Sequence, residues 1–211
     1  MERRLPLYLV LDVSGSMSGD PIEAVNNGLQ TIQSALFRNS QARETVWISV
    51  ITFGGTVKQI MPLTEVQSFV PPVLQAGGGT PFGEALRKVK NLAETEVRKN
   101  TYTEKGDWKP MVFIMTDGEP TDSYDTAITE FKSYKWGPVI ACAAGAGANT
   151  AILKKVTESV YSLDTLDSAK IGSLFVWLSS SISAVSKKID EVSSGSGSSV
   201  LPPPPPEIKF V

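Results

Sequence analysis

Three short runs constrain the fold more than any other feature: LYLVL (7–11), MVFIM (111–115) and VIACA (139–143). Each has strand length, and each is apolar on both alternations. A strand exposed on one face would alternate, so these runs read as parallel strands covered on both faces. VWISVITF (46–53) is a fourth candidate, followed by Gly54-Gly55 and the more polar TVKQIMPL (56–63). A Gly-Gly turn between two such runs predicts a hairpin, and Pro62 puts its second arm at a sheet edge.

Helical patterns separate the runs. Residues 21–37 carry apolar side chains at 22, 25, 29, 32 and 36, with Asp20 as the expected N-cap, Pro21 in the first turn and Glu23 completing a capping box. Thr80-Pro81 opens a second helix with an apolar stripe at 82, 85, 86, 89, 92 and 93. Further helices are predicted over 123–135, 149–156 and 168–188, with a short strand VYSL (160–163) between the last two. Strands alternating with helices predict an α/β fold: a doubly wound, mostly parallel sheet with one antiparallel edge strand and helices on both faces. The 211 residues suit one such domain, expected over 1–190. From 191 to 211 a Ser/Gly linker gives way to five prolines and EIKFV, a stiff polyproline tail whose end is either a short strand or frayed.

Composition removes whole classes of chemistry. The chain has no histidine and one cysteine, Cys142. Ser-His-Asp and Cys-His catalysis and thiolate or imidazole zinc sites are excluded, as is an intrachain disulfide. Net charge is −2 with no basic stripe, which argues against nucleic-acid binding. The basic-then-apolar N-terminus is too short, and too soon broken by Asp12, for a signal peptide, and no run reaches membrane-helix length. A cytoplasmic protein without direct membrane insertion is the expectation.

Polar residues gather where a doubly wound sheet places its ligands, beyond the carboxyl ends of the strands. Asp12 ends the first run, with Ser14 and Ser16 just after it. Asp117-Gly118 follows MVFIM, and Thr80 follows three glycines at a helix start. Flexible glycines let backbone approach closely there. If the two aspartate-bearing strands flank the switch in strand order, both carboxylates face one crevice. Two carboxylates and three hydroxyls form an all-oxygen set of the kind that hard cations such as Mg2+ or Mn2+ prefer. Two other readings of LVLDVSGSM remain: an ordinary strand-to-helix turn, and Asp12 as a phosphorylated nucleophile. Glu119 reads as a solvated loop residue or, less favoured, an outer-shell carboxylate beside Gly118. Asp122 reads as a helix N-cap.

Asp12-x-Ser14-x-Ser16, the later Thr80 and Asp117-Gly118 resemble the metal-ion-dependent adhesion site (MIDAS) of von Willebrand factor A domains. The resemblance implies that Ser14, Ser16 and Thr80 ligate metal directly or through water. Asp12 and Asp117 complete the shell, and a partner's Glu or Asp fills an open position. It implies Mg2+, with Mn2+ or Ca2+ as alternatives, and a non-enzymatic protein-binding role. RLPLYLVLDVSGSMSGDPIEAVNNGLQ and KGDWKPMVFIMTDGEPTD further resemble TerY-type domains of bacterial tellurium-resistance and stress-response systems. That likeness implies kinase-like, phosphatase-like or other Ter protein partners. The alternatives are a metal-assisted phosphoryl-transfer enzyme using Asp12, or a scaffold whose metal is purely structural. In the tail, Glu207 is a candidate mimic of a partner's carboxylate, against the simpler expectation of a mobile end or an added edge strand.

Overall fold

The computed structural model describes residues 3–191 and 201–211. Its seven strands form one sheet in the order β3-β2-β1-β4-β5-β6-β7. β1 (Leu5–Asp12), β2 (Val46–Gly54), β4 (Met111–Thr116), β5 (Val139–Ala144) and β6 (Val160–Leu163) run parallel. β3 (Thr56–Glu65) is the expected antiparallel edge arm, joined to β2 through Gly55 in the left-handed region (φ 67°).

The apolar runs lack alternation because each face of the sheet has its own core. Leu5, Leu7, Leu9 and Leu11 of β1 point to one side. There they meet Val25, Leu29, Ile32 and Leu36 of α1 (Asp20–Arg38), and Phe175, Leu178 and Ile182 of α6 (Ser168–Glu191). Tyr8 and Val10 point to the other side. They pack with Leu86 and Val89 of α3 (Phe82–Glu96), Phe131 of α4 (Asp125–Lys132) and Leu153 of α5 (Thr150–Val156). Each such fully buried large side chain contributes about 1.5–3 kcal/mol of burial free energy. α1 approaches α6 closely enough that a Cβ on Gly28 would lie 2.4 Å from the Phe175 ring.

Several local expectations are corrected. Asp20 does not cap α1; the cap position is Gly19 (φ 82°), and Asp20 is the first helical residue. Asp122 caps a helix, but not the one that follows it: its two oxygens accept from the N–H groups of Gly83 and Glu84 at 3.0 and 2.8 Å, closing the N-terminus of α3. A short α2 (Ser40–Thr45), capped by Asn39, was not expected.

The predicted boundary near 190 adjoins residues outside those described, but 201–211 lies against the domain. β7 (Lys209–Phe210) pairs antiparallel with β6. Ile208 is buried, Phe210 packs on Tyr161 at 5.5 Å between ring centroids, and the Trp177 indole N–H donates to the Pro202 carbonyl at 2.9 Å. EIKFV thus supplies an added edge strand rather than a frayed end. Glu207 is exposed just before it, with β4, β5 and β6 between β7 and the strand that carries Asp12. Among the described residues no helix is long and apolar enough to cross a membrane.

Candidate metal centre

β1 and β4 are sheet neighbours, yet the chain leaves β1 toward β2 and β3 before returning to β4 on the opposite side. That reversal opens a crevice at their carboxyl ends. Asp12 is the last residue of β1 and Asp117 follows the last residue of β4, so both reach the crevice.

The pair is almost wholly buried, Asp12 at 1% and Asp117 at 5% exposure. One Asp12 oxygen accepts from the Ser14 backbone N–H at 2.8 Å, and the other accepts from the Thr116 hydroxyl at 2.6 Å. Asp117 Oδ1 accepts from Ser16 Oγ at 2.9 Å and Ser14 Oγ at 3.5 Å, and the two serine hydroxyls stand 3.0 Å apart. Burial pushes the Asp12 carboxyl above the usual range; the bonds from Ser14 and Thr116 oppose the shift, and Asp117 adds to it. Among the described residues, no Lys or Arg forms an ion pair with either aspartate.

Thr80 borders the same crevice. Its Oγ1 would lie 3.7 Å from a Cβ placed on Gly118, and this hydroxyl makes no hydrogen bond to another described residue. The Thr80 backbone is fixed by Thr121, whose hydroxyl accepts from Thr80 N–H and whose N–H donates to the Thr80 carbonyl.

The loops are locked by backbone rather than side chains. Gly15 N–H donates to the Gly78 carbonyl at 2.9 Å, Gly77 N–H to Val13 at 2.7 Å, and Gly55 N–H to Gly79 at 2.8 Å. A Cβ on Gly54 would meet the carbonyl oxygens of Val13 and Gly77 at 2.6 and 2.7 Å. The Gly54-Gly55 turn therefore does more than close a hairpin: it wedges the serine loop against the 77–79 glycines.

Asp12, Ser14, Ser16 and Asp117 thus form one hydrogen-bonded set, with Thr80 alongside and Gly118 next to Thr80. Glu119 lies outside the set and accepts from the Asn149 amide at 2.9 Å. Thr116, Thr121 and Asn149 were missed by the sequence reading. Thr116 had a signal, as the residue directly before Asp117. Among the described residues no three acidic, Cys or His side chains cluster. The donor chemistry is two uncompensated carboxylates plus hydroxyls, which fits a hard divalent cation. The enclosed space beside the site, lined in part by Phe82, Thr116, Gly118 and Asn149, is about 10 Å³, and Ser16 is exposed.

Comparison with known proteins bears on the family and the fold. The family profile of the von Willebrand factor type A domain matches residues 7–171. An uncharacterized Synechocystis protein, sll0103, is 34% identical over 125 residues, which cover 56% of this chain and 26% of that protein. Among solved structures, the SpaC pilus adhesin of Lactobacillus rhamnosus GG aligns at TM-score 0.67 and 14% identity, over 87% of this chain and 31% of its own. Proximal thread matrix protein 1 of the mussel byssus, solved with a zinc-occupied MIDAS motif, aligns at TM-score 0.61 and 18% identity, over 86% and 48%. The chain thus spans about a quarter of the curated relative and under half of these structures. The structural likenesses speak for the fold.

Proposed function

The chain belongs to the von Willebrand factor type A domain family, and from that premise we propose that it is a divalent-cation-dependent protein-binding module. Domains of this family commonly serve as metal-dependent adhesion or interaction modules. The observation that carries the reading is the convergence of Ser14 and Ser16 hydroxyls on Asp117, beside Asp12, with no ion pair to either aspartate among the described residues.

In this proposal Ser14, Ser16 and Thr80 hold the cation, and Asp12 and Asp117 orient it. Mg2+ is the preferred ion, with Mn2+ or Ca2+ as alternatives; the zinc in the byssus protein supports a divalent site in general. When bound, the ion supplies a Lewis-acidic position that a partner's Glu or Asp can complete. Thr116 and the Ser14 backbone N–H fix the Asp12 carboxylate. The exposed Ser16, beside an enclosed space of only about 10 Å³, suits a protein surface rather than a small substrate. No observation favours Asp12 as a phosphoryl acceptor.

The finer setting rests on the resemblance of the two quoted stretches to TerY-type domains. We place the module in a bacterial tellurium-resistance or stress-response system, in the cytoplasm, beside kinase-like, phosphatase-like or other Ter proteins. The test is capture of partners from lysate with Mg2+ and with EDTA, read by mass spectrometry. A specific partner set should disappear with EDTA, with Asp12→Ala and with Thr80→Ala, while circular dichroism stays unchanged. Capture that survives all three sinks the proposal and favours a scaffold with a structural metal.

A further inference from the structure

The proline run is not merely a spacer. Its exposure repeats with period three: Leu201 and Pro202 are partly buried and Pro203 is exposed, then Pro204 and Pro205 are partly buried and Pro206 is exposed. Three residues per turn is the repeat of a polyproline II helix, so Pro203 and Pro206 share one edge, with Pro206 standing where the rod enters the turn over 206–207. The residues on the other two edges are partly buried.

Both ends of the rod are pinned. At its start the Trp177 indole N–H donates to the Pro202 carbonyl. At its end the Pro205 carbonyl accepts from Ile208 N–H at 2.9 Å, and Ile208 is buried at 3% exposure. Between these anchors the Pro203 and Pro204 carbonyls accept no hydrogen bond from a described residue. Prolines have no N–H to donate, so the rod presents only apolar rings and unused acceptors.

We propose that the Pro203–Pro206 edge is a docking ligand for a partner protein with an aromatic-lined polyproline groove. Such grooves receive prolines three apart between aromatic rings, and their indole or phenol groups donate to free carbonyls of the rod. Fixing the rod against the domain removes conformational freedom that a loose tail would lose on binding. Exposed Glu207, directly after Pro206, has no ion pair among the described residues and selects a groove with a basic residue beyond the aromatic floor. This surface is independent of the metal centre.

The test is isothermal titration of the intact protein with two probes, an SH3 domain and a WW domain, in EDTA so that the metal centre takes no part. Saturable binding of at least one probe is expected, weakened at least tenfold by the double substitution Pro203→Ala and Pro206→Ala. The Trp177 indole N–H resonance reports whether the rod remains docked in the variant. If the double variant releases it, the single substitution Pro206→Ala carries the comparison. No binding of either probe to the intact protein overturns the proposal. So does equal affinity for the docked variant, or binding that appears only after Ile208→Asp frees the segment.

Discussion

Replacing Gly54 by alanine should damage the candidate metal centre without touching a candidate ligand. The new methyl would lie 2.6 Å from the Val13 carbonyl oxygen and 2.7 Å from that of Gly77. Both obstacles are backbone, so no side-chain rotation relieves them. Overpacking of this kind costs about 1–3 kcal/mol. Moving the Val13 carbonyl also weakens the bond it accepts from Gly77 N–H at 2.7 Å, worth about 1 kcal/mol. The sum, about 2–4 kcal/mol, lowers Tm by roughly 5–15 °C in a domain of this size. The assay is thermal unfolding in EDTA and again with Mg2+ or Mn2+. If the cation site is as proposed, saturating metal raises the Tm of the parent protein, and a site tenfold weaker loses about 1.4 kcal/mol of that stabilisation. Gly77→Ala is the control, because nothing lies within 4 Å of its added Cβ and its φ is not positive. Equal Tm values for Gly54→Ala and Gly77→Ala in EDTA would refute the wedge argument whatever the metal does.

Two helix glycines should respond with opposite sign to the same change. Gly172→Ala meets nothing within 4 Å and should stabilise by about 0.5–1 kcal/mol, whereas Gly28→Ala strikes the buried Phe175 ring and should destabilise by about 1–3 kcal/mol, both read by denaturant melts. Asp122→Ala removes the acceptor for two N–H groups of α3 and should cost about 1 kcal/mol, or a few degrees in Tm. Burial pushes the Cys142 thiol from 9.0 up to about 12, so an aromatic disulfide reagent should label it only after unfolding. Because the unfolded chain ionises first, the thiol's contribution should be lost as pH rises from about 9 toward 12, a decline that Cys142→Ala makes shallower. Ser16→Asp adds a carboxylate at an exposed position 2.9 Å from Asp117; calorimetry should show tighter Mg2+ binding but weaker capture of acidic partners.

The parts legible in the sequence are those whose cause is local. LYLVL, MVFIM and VIACA announced central strands because burial on two faces removes alternation. The α1 stripe at 22, 25, 29, 32 and 36 is buried at every position. Asp12 and Asp117 were placed together because strand ends and a switch in strand order follow from topology. What escaped is tertiary. Asp122 looks like a cap for the helix after it, yet the N-terminus it satisfies belongs to α3, about 40 residues earlier in the chain. Gly54-Gly55 carries a complete hairpin explanation, which hides its contact with Val13 and Gly77. β7 has only two paired residues, too few for any period, and its position depends on Ile208 and Trp177 rather than on strand propensity.

The choice of hydroxyls over carboxylates around Asp12 and Asp117 decides what the centre can do. Two carboxylates formally neutralise a divalent ion, and neutral oxygens from Ser14, Ser16 and Thr80 add ligands without adding charge. A third carboxylate would leave the occupied site negative, and an approaching acidic side chain would be repelled within a shell too short for salt to screen. The chain has no histidine, and Asp12 is held by the Thr116 hydroxyl and the Ser14 backbone N–H. In the proposed reading such a site is completed by another molecule's acid, and the exposed Ser16 marks the side from which that acid would arrive.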